Sequence, residues 1–364
     1  WTCSCPDFAL RQLPCKRAFA LHAFLTRLPL PTPSPAPPRP TYPQDWPAYT
    51  RAQLSEFRLF HALLSDLTAS LVDPRPPQSR GRPRLPFPDL LFCALQKVYL
   101  QKSLRRVYGQ FELAAYLHHI QHVPSFVMPS VLFQREDLTP ILTDLVARSA
   151  QPLSRLESTF AVDASGYRTT SFGAYCQETH GPSRANVWMK AHVIVGVATH
   201  TIPAVVVTSG TSADCLQFST LVQTVARAGF TLREICADKA YLSRENLEMA
   251  KTLGAHPYIP FKVGSTSQAQ GSTMWKEMFH FFHEHRGEFE EHYHARSNVE
   301  AVFASVKRKL GETLVSKDVV ARGNELLAKM LVYNLTVLVH EMYEHRLIPE
   351  FLRRPTVPNE LRAA

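Results

Sequence analysis

The pattern of apolar and polar residues changes from helical to strand-like partway along the chain. Over residues 44–146, apolar residues recur at helical spacing, as at Leu91, Leu95 and Val98, which is the period of an amphipathic helix. From about residue 158 onward, short runs rich in β-branched residues replace this pattern, and such runs are typical of buried strands. The sequence therefore predicts a helical first part followed by an α/β part.

Five runs in the second part predict strands, and the segments between or after them predict helices. The predicted strands are STFAVDASG, NVWMKAHVIVGVATH, TIPAVVVTSG, LREICADKAY and HPYIPF. Thr199-His200-Thr201 is expected to be the hairpin turn between the second and the third. Helices are expected over residues 213–228, 243–253, 292–310 and 322–344. This order of elements predicts an α/β sheet of mixed direction flanked by helices.

Two further segments precede the helical part. Residues 1–28 contain three clustered cysteines, and residues 29–43 have proline at nearly every second position. A proline-rich run of this kind favours extended polyproline II, so we expect a semi-rigid linker. The predicted organisation is a cysteine-bearing unit at 1–28, the linker at 29–43, a helical segment at 44–150, an α/β domain at 151–345 and a C-terminal tail at 346–364.

The charge balance favours a polyanionic partner. Among 364 residues there are 40 lysines and arginines against 31 acidic residues, which gives a net charge of +9 and a pI near 9.2. Nucleic acid is the first candidate for such a chain, because bound phosphates release counterions. The longest apolar runs are too short to cross a bilayer, so no membrane partner is expected. No signal peptide is visible, and since the chain begins at Trp1 we expect a fragment of a longer protein.

Four of the seven cysteines are scattered along the chain rather than clustered. They lie mostly among apolar neighbours. This arrangement favours buried thiols in a reducing cytosol. The four are Cys93, Cys176, Cys215 and Cys236.

Acidic residues end the apolar runs within two of the predicted strands. Asp163 ends the apolar run TFAV, and Asp238 ends the run EICA. A carboxylate there is costly unless it is paired or bound to metal, although either one alone could belong to a turn. Together with Glu300 on a later helix, the two would form an oxygen-only site suited to Mg²⁺ or Mn²⁺. Ser212 and Asp214, by contrast, are expected to cap the helix after the third strand.

The stretch HYHARSNVEAVFASVKRKLG, residues 292–311, places four polar side chains on one helix face. Tyr293, Arg296, Glu300 and Lys307 follow at steps of three, four and seven, which fall within an arc of about 60°. One interpretation is an ordinary surface salt bridge, because Arg296 and Glu300 are an i,i+4 pair. The other is that Glu300 is a metal ligand while the two cations offset phosphate charge in the same cleft.

Together the motifs AVDASG, ICADKAY and YHARSNVEAVFASVK resemble those of DDE transposases of the bacterial insertion-sequence type. Such families carry an Asp in the first strand, an Asp after the fourth, and a Tyr-x2-Arg-x3-Glu-x6-Lys signature. The resemblance covers about residues 80–345. It implies that residues 151–345 form an RNase H-like catalytic domain, in which Asp163, Asp238 and Glu300 are the catalytic residues and hold two Mg²⁺ or Mn²⁺ ions. We expect the helical segment at 44–150 to bind DNA ahead of that domain.

The same resemblance implies an activity and a set of partners. The expected reaction is metal-dependent cleavage followed by strand transfer, in which water attacks first and the freed 3′-hydroxyl then attacks target DNA. The implied partners are double-stranded terminal inverted repeats, target DNA and a second copy of the chain in a homodimer. The implied location is the cytoplasm of a prokaryote, in association with the nucleoid.

Several polar residues are expected to contact DNA. The signature implies DNA contacts by its Tyr, Arg and Lys residues. Lys239 and Tyr241, just after the second Asp, are placed to contact a phosphate. On the second strand, Lys190 and His192 could touch DNA or lie on an exposed strand face. Three arginines precede the first strongly apolar helix as a basic approach. The predicted DNA contacts are Tyr293, Arg296, Lys307, Lys239, Tyr241, Lys190, Arg80, Arg82 and Arg84.

The first unit has a resemblance of its own. CSCPDF and the later PCKR resemble the SWIM zinc finger, whose pattern is Cys-x-Cys, a spacer and Cys-x-His. Cys3, Cys5 and Cys15 match three ligands of one Zn²⁺, but Arg17 stands where the histidine belongs. His22 could serve as the fourth ligand, although its spacing is not that of the family. The alternative is a degenerate finger that holds reduced thiols.

Two other functions remain open at this point. A nuclease or resolvase would keep the fold but hydrolyse DNA without joining it. A DNA-binding protein derived from a transposase would have lost catalysis. The three acids argue against the second alternative, because binding alone does not require costly carboxylates at one edge of a sheet.

Overall fold

The computed structural model of the chain describes residues 45–169, 188–268, 271–353 and 361. The proposed zinc ligands and the proline-rich linker lie outside these residues. Within the described part, helices extend to Ala150, and five strands with further helices follow. The predicted change from a helical to an α/β region is therefore confirmed.

The first part contains five helices whose ends follow from local sequence. The first begins after Asp45, which accepts a hydrogen bond from the backbone N–H of Ala48 at 2.9 Å, and Pro47 fits its first turn because that position needs no N–H partner. The second ends at Gln101, which adopts a left-handed conformation with φ of 52°. The helices are α1 (Trp46–Thr68), α2 (Phe87–Leu100), α3 (Leu104–Tyr116), α4 (Met128–Phe133) and α5 (Leu138–Ala150).

The strands form one mixed sheet in the order β3-β2-β1-β4-β5. Antiparallel pairs join β1 to β2 and β2 to β3, whereas parallel pairs join β1 to β4 and β4 to β5. The turn between β2 and β3 contains His200 with φ of 60°, as the sequence predicts. This topology is consistent with an RNase H-like core. The strands are β1 (Thr159–Tyr167), β2 (Met189–Gly196), β3 (Ala204–Ser209), β4 (Glu234–Ala237) and β5 (His256–Tyr258).

Within the described ranges, six helices accompany the sheet, and they differ from the prediction in two places. The helix expected over 292–310 is interrupted, because His294–Arg296 form a single 3₁₀ turn between two helices. A further helix over Thr273–Glu284 is not predicted, although Met274, Met278 and Phe282 are buried at helical spacing. The helices are α6 (Phe218–Arg227), α7 (Arg244–Thr252), α8 (Thr273–Glu284), α9 (Arg286–Tyr293), α10 (Ser297–Leu310) and α11 (Val319–Glu344).

Both faces of the sheet are buried. Alternate residues of β1 point to opposite faces, so that Ala161 packs with α10, α11 and the first five helices. Phe160 and Val162 pack on the other face with α6 to α9. The first of these cores extends across residue 150, so the early helices and the sheet share one core. A separate DNA-binding role for the helices stays a prediction.

Two smaller expectations concern the membrane and the thiols. Within the described ranges, no helix combines the length and apolar character that crossing a membrane requires.

Cys93 and Cys236 are buried free thiols, and Cys215 is a half-buried one. Burial raises the pKa of Cys236 to about 12. Thiols with a raised pKa are inert, as expected for structural cysteines in a core, and Cys176 lies outside the described residues.

Candidate active site

The parallel pairing of β1 with β4 brings two aspartates side by side. The last paired residues are Val162 and Ala237, and Asp163 and Asp238 follow them directly. β1 itself continues to Tyr167 alongside β2. Asp163 therefore lies within the central strand rather than at its end. The two aspartates are adjacent because β4 ends beside Val162, one residue before Asp163.

Arg296 lies between the carboxylates of Asp163 and Glu300. Its Nη1 donates to Asp163 Oδ2 at 2.8 Å, and its Nη2 donates to Glu300 Oε1 at 2.5 Å. Arg296 and Asp163 are each 22% exposed, whereas Glu300 is 60% exposed. The i,i+4 pair of the salt-bridge interpretation is thus present. Arg296 also reaches β1, however, which an ordinary surface pair on one helix does not require.

The charges of the three acids interact. Burial raises the pKa of Asp163, while the Ala164 N–H and the Arg296 guanidinium oppose that rise. The negative charges of Asp238 and Glu300 raise the pKa of Asp163 further. All three carboxylates therefore lie in one electrostatic neighbourhood, and the single arginine does not offset burial and repulsion at Asp163.

Lys307 meets the same strand two residues beyond Asp163. Its Nζ donates to Ser165 Oγ at 2.8 Å and lies 5.1 Å from the centre of the Tyr167 ring. Burial lowers the pKa of Lys307, with Glu312 opposing this effect. Because Asp163 and Ser165 lie on the same face of β1, α10 runs along the face that carries the acid.

Tyr293, the remaining member of the signature, ends α9 instead of lying on α10. Its side chain is half-buried and packs against Phe289, with 5.9 Å between ring centres. Burial raises the pKa of Tyr293, the Arg296 charge lowers it, and the Asp238 charge raises it again. Tyr293 therefore lies close enough to the acids and to Arg296 to sense their charges.

The donor chemistry of the site fits a hard divalent cation, but the three side chains are not arranged around a common metal position. Carboxylate oxygens are the preferred ligands of Mg²⁺ and Mn²⁺, and Asp163, Asp238 and Glu300 supply only such oxygens. Within the described ranges, no group of three or more His, Cys, Asp or Glu side chains is arranged around a metal position. The Arg296 guanidinium stands between two of the acids instead.

Lys239 and Tyr241, the two predicted contacts after Asp238, have different environments. Lys239 is exposed beside the acid, which leaves it available to a phosphate. Tyr241 is fully buried, with its ring centre 6.3 Å from that of Phe218. The 3₁₀ turn Lys239–Tyr241 carries the ring back into the core. The structure therefore corrects the prediction that the Tyr241 side chain contacts DNA.

A buried polar cluster beside β2 was missed by sequence reasoning. His192 is fully buried, with Nε2 2.9 Å from Thr208 Oγ1 and Nδ1 3.4 Å from Asp214 Oδ1. Lys190 forms an ion pair with the same carboxylate. His192 is therefore not available to DNA, and the predicted capping role of Asp214 is wrong, because its side chain makes no capping hydrogen bond. A DNA contact by Lys190 stays a prediction.

The signal for this cluster in the sequence is weak. Lys190 and His192 are two residues apart on one strand, so they share a face. Nothing in the local spacing indicates, however, that Asp214 folds back against that face. A capping role for an Asp before a helix is the commoner arrangement.

The three arginines before α2 are exposed. Arg84 donates from Nη1 to the Pro76 carbonyl at 2.9 Å, and Arg80 and Arg82 extend from the same loop. Across the described ranges, none of the three forms an ion pair with a carboxylate. Their charges are thus uncompensated, as a phosphate-binding surface requires.

Comparison with known proteins places the chain in a family. Residues 154–335 match a family model described as a transposase DDE domain, and they make up half of the 364-residue chain. The matched region includes the sheet and the acids Asp163, Asp238 and Glu300. No curated protein and no solved structure matches the chain. On the strength of the family match and the α/β core that carries these acids, the chain belongs to the DDE transposase family.

Proposed function

We propose that the chain cleaves DNA at the ends of an insertion sequence and joins those ends to target DNA. The observation that carries the proposal is the convergence of Asp163, Asp238 and Glu300 beside one strand of a transposase domain. A structural role does not require two partly buried aspartates next to a third acid, because each burial of a carboxylate is unfavourable.

We assign the three acids as ligands of two Mg²⁺ or Mn²⁺ ions, in keeping with the divalent metals that this family generally uses. Such ions, when bound, stabilise the attacking and leaving oxygens of an in-line phosphoryl transfer. The chain itself supplies the negative charge. Burial makes that charge unfavourable at Asp163, so a cation gains more there than it would at an exposed acid.

Basic residues around the acids are proposed to bind the DNA backbone. Lys307 lies beside Ser165 on the acid-bearing face of β1, and Lys239 is exposed directly after Asp238. Charge-assisted contacts of this type position a phosphate without reading the base sequence. We include Tyr293 and Arg296 in the same surface, and we propose that Arg80, Arg82 and Arg84 extend it.

Two further parts of the proposal concern assembly and the first unit. Joining both ends of one element requires two active sites, so we propose a homodimer in the DNA complex, which sedimentation with DNA would test.

We also propose that Cys3, Cys5, Cys15 and His22 bind one Zn²⁺. Metal analysis of the purified chain tests that binding, and a chain without zinc would favour the degenerate finger.

The decisive experiment is a Mg²⁺-dependent nicking assay on DNA from the boundaries of the element. Glu300→Gln should lose cleavage by about a thousandfold or more, because several kcal/mol of transition-state stabilisation depend on the bound cation. DNA binding and the melting temperature should change little. Asp163→Asn and Asp238→Asn should lose cleavage to a similar extent, since ligands of one site fail as a unit.

Glu290→Gln provides the matched control. Glu290 forms an i,i+4 pair with Arg286 on α9, as Glu300 does with Arg296, so its removal tests the loss of an ordinary surface pair. If the salt-bridge interpretation of Glu300 is right, both variants keep cleavage and lose at most about 0.5 kcal/mol of stability. Full cleavage by Glu300→Gln would overturn the proposal.

A second assay separates joining from hydrolysis. Labelled donor ends should become covalently attached to a target plasmid if the chain transfers strands. Cleavage without attachment would favour a nuclease. Binding without cleavage in the unmodified chain would favour a transposase-derived DNA-binding protein.

A further inference from the structure

Arg296 holds two of the three proposed metal ligands. Its two terminal nitrogens bond one carboxylate oxygen each, at 2.8 Å to Asp163 and 2.5 Å to Glu300. Asp163 comes from the central strand, whereas Glu300 comes from a helix much later in the chain. A planar guanidinium can bridge two such acids because its donors diverge from one rigid group.

The position of the guanidinium conflicts with a cation bound to the same two oxygens. Asp163 Oδ2 and Glu300 Oε1 already accept hydrogen bonds from Arg296, and two positive charges in one place repel each other. Within the described ranges, no group of three or more acids is arranged around a metal position. For the acids to bind a divalent ion jointly, the Arg296 side chain has to move.

The surroundings of Arg296 offer its side chain an alternative position. Its side chain is 22% exposed, and the exposed Lys239 and the half-buried Lys307 flank the same region. A DNA phosphate that approaches these cations offers Arg296 an alternative anionic partner. Arginine binds phosphate with the same two-pronged geometry that it uses for carboxylates.

We propose that Arg296 is an exchangeable internal cation, which neutralises Asp163 and Glu300 in the absence of DNA. When a DNA phosphate binds Arg296, its guanidinium leaves the two acids, which can then bind divalent ions. This inference rests on the proposed function, because it takes Asp163 and Glu300 to be metal ligands. DNA and metal then bind cooperatively. By thermodynamic linkage, each ligand raises the affinity of the chain for the other by the same factor.

The inference gives Arg296 a positioning role distinct from a simple phosphate contact. A simple contact only adds affinity for DNA, and its loss leaves the affinity for metal unchanged. An exchangeable cation also lowers the affinity for metal when DNA is absent. The two roles therefore differ in what Arg296→Ala does to metal binding by the protein alone.

The test measures Mn²⁺ binding by the full chain through the electron paramagnetic resonance signal of the free ion, with and without a short duplex DNA. Without DNA, Arg296→Ala should bind Mn²⁺ about tenfold more tightly than the unmodified chain, a typical coupling between two sites. Adding DNA should tighten Mn²⁺ binding by the unmodified chain and leave Arg296→Ala nearly unchanged. Arg296→Lys should fall between the two, because one ammonium keeps the charge but not the fork.

Arg286→Ala is the matched control. Arg286 forms an i,i+4 ion pair with Glu290 on α9, and its removal changes the net charge by the same amount as removal of Arg296. It should leave Mn²⁺ binding unchanged. If Arg286→Ala and Arg296→Ala gained Mn²⁺ affinity to a similar extent, the cause would be the change in net charge, and the proposed exchange of partners would be overturned.

The outcomes separate this inference from the proposed function. Equal Mn²⁺ affinity of the unmodified chain and Arg296→Ala without DNA would overturn the exchange, while loss of that binding in Glu300→Gln would leave the metal site standing. No Mn²⁺ binding by any variant, with or without DNA, would overturn both. Circular dichroism checks that each variant is folded. If Arg296→Ala does not fold, Arg296→Met, which keeps the length of the side chain, replaces it.

Discussion

Arg135 and Arg296 each bridge two carboxylates, but the two clusters have opposite charge balances. Arg135 binds Asp137 through Nε and Nη2, and its Nη2 also donates to Asp73 at 2.8 Å. Arg75 adds a second cation to Asp73. The Arg135 cluster, defined as Arg75, Arg135, Asp73 and Asp137, thus has two cations for two acids.

The Arg296 cluster, defined as Arg296, Asp163, Asp238 and Glu300, has one cation for three acids. The consequence shows in the pKa of one half-buried acid from each cluster, Asp163 and Asp73. Burial and neighbouring carboxylates raise the pKa of Asp163 in spite of Arg296. Hydrogen bonds from Arg75 and Arg135, by contrast, hold the pKa of Asp73 well below its usual range.

The difference supports a structural role for the Arg135 cluster and agrees with the ligand-binding role proposed for the Arg296 cluster. In the Arg135 cluster every charge has a partner, and the arginine, which is only 13% exposed, joins the loop after α1 to the start of α5. In the Arg296 cluster negative charge is left over next to a central strand. Unfavourable charge of this kind is typical of sites that are completed by a ligand.

Removing Arg135 should have the largest effect on stability. Arg135→Ala leaves Asp73 and Asp137 without their shared partner, and we expect a loss of about 2 kcal/mol, between the values for an exposed and a fully buried ion pair. Urea denaturation measures this free energy of unfolding. Arg286→Ala, which breaks an exposed pair, should lose less than about 1 kcal/mol. Equal losses in the two variants would remove the structural role of the Arg135 cluster.

The amide variants of the two aspartates should change stability in opposite directions. At neutral pH and with a chelator present, Asp163→Asn should gain about 1 kcal/mol, the usual size for relieving strain at a functional site. Asp73→Asn should melt at a lower temperature than the unmodified chain. The reason is that ionisation is unfavourable at Asp163 and favourable at Asp73 in the folded state.

The pH dependence follows from the same two pKa shifts. The folded chain keeps the Asp163 proton to higher pH than the unfolded chain, so its contribution to stability falls as pH rises above the ordinary Asp range. Asp73 releases its proton at lower pH when folded, so its contribution is lost as pH falls below that range. As pH is lowered through the acid range, the melting temperatures of Asp163→Asn and Asp73→Asn should therefore approach that of the unmodified chain. A destabilised Asp163→Asn at neutral pH would contradict the charge imbalance.

Three arginines that form no ion pair with a carboxylate in the described part of the chain extend the comparison and should have the smallest effect on stability. Replacing Arg80, Arg82 and Arg84 by Ala should leave the melting temperature nearly unchanged, because all three are exposed. DNA affinity should fall, and the slope of log affinity against log salt should flatten by about one for each phosphate that is no longer neutralised. An unchanged slope would move the DNA-binding surface to the end of α10, at Lys307, Arg308 and Lys309.

Local sequence was sufficient to predict the strands and to single out the three acids as candidates. Runs of β-branched residues predict β1 to β5 because a buried strand needs apolar side chains at successive positions. An acid that interrupts such a run, as Asp163 and Asp238 do, is conspicuous for the same reason. Glu300 could be recognised because the spacing of its neighbours follows the helical period.

The positions of residues from distant segments were decided only by the tertiary structure. Pairing of β1 with β2 beyond Val162 determines that Asp163 lies inside a strand, and pairing of β1 with β4 brings Asp238 beside it. The bend before α10 turns Arg296 towards Asp163. The burial of Tyr241 depends in the same way on elements far apart in the chain. Residue spacing describes one helix or strand at a time, whereas these positions depend on strand register and on packing between elements, which local periodicity does not contain.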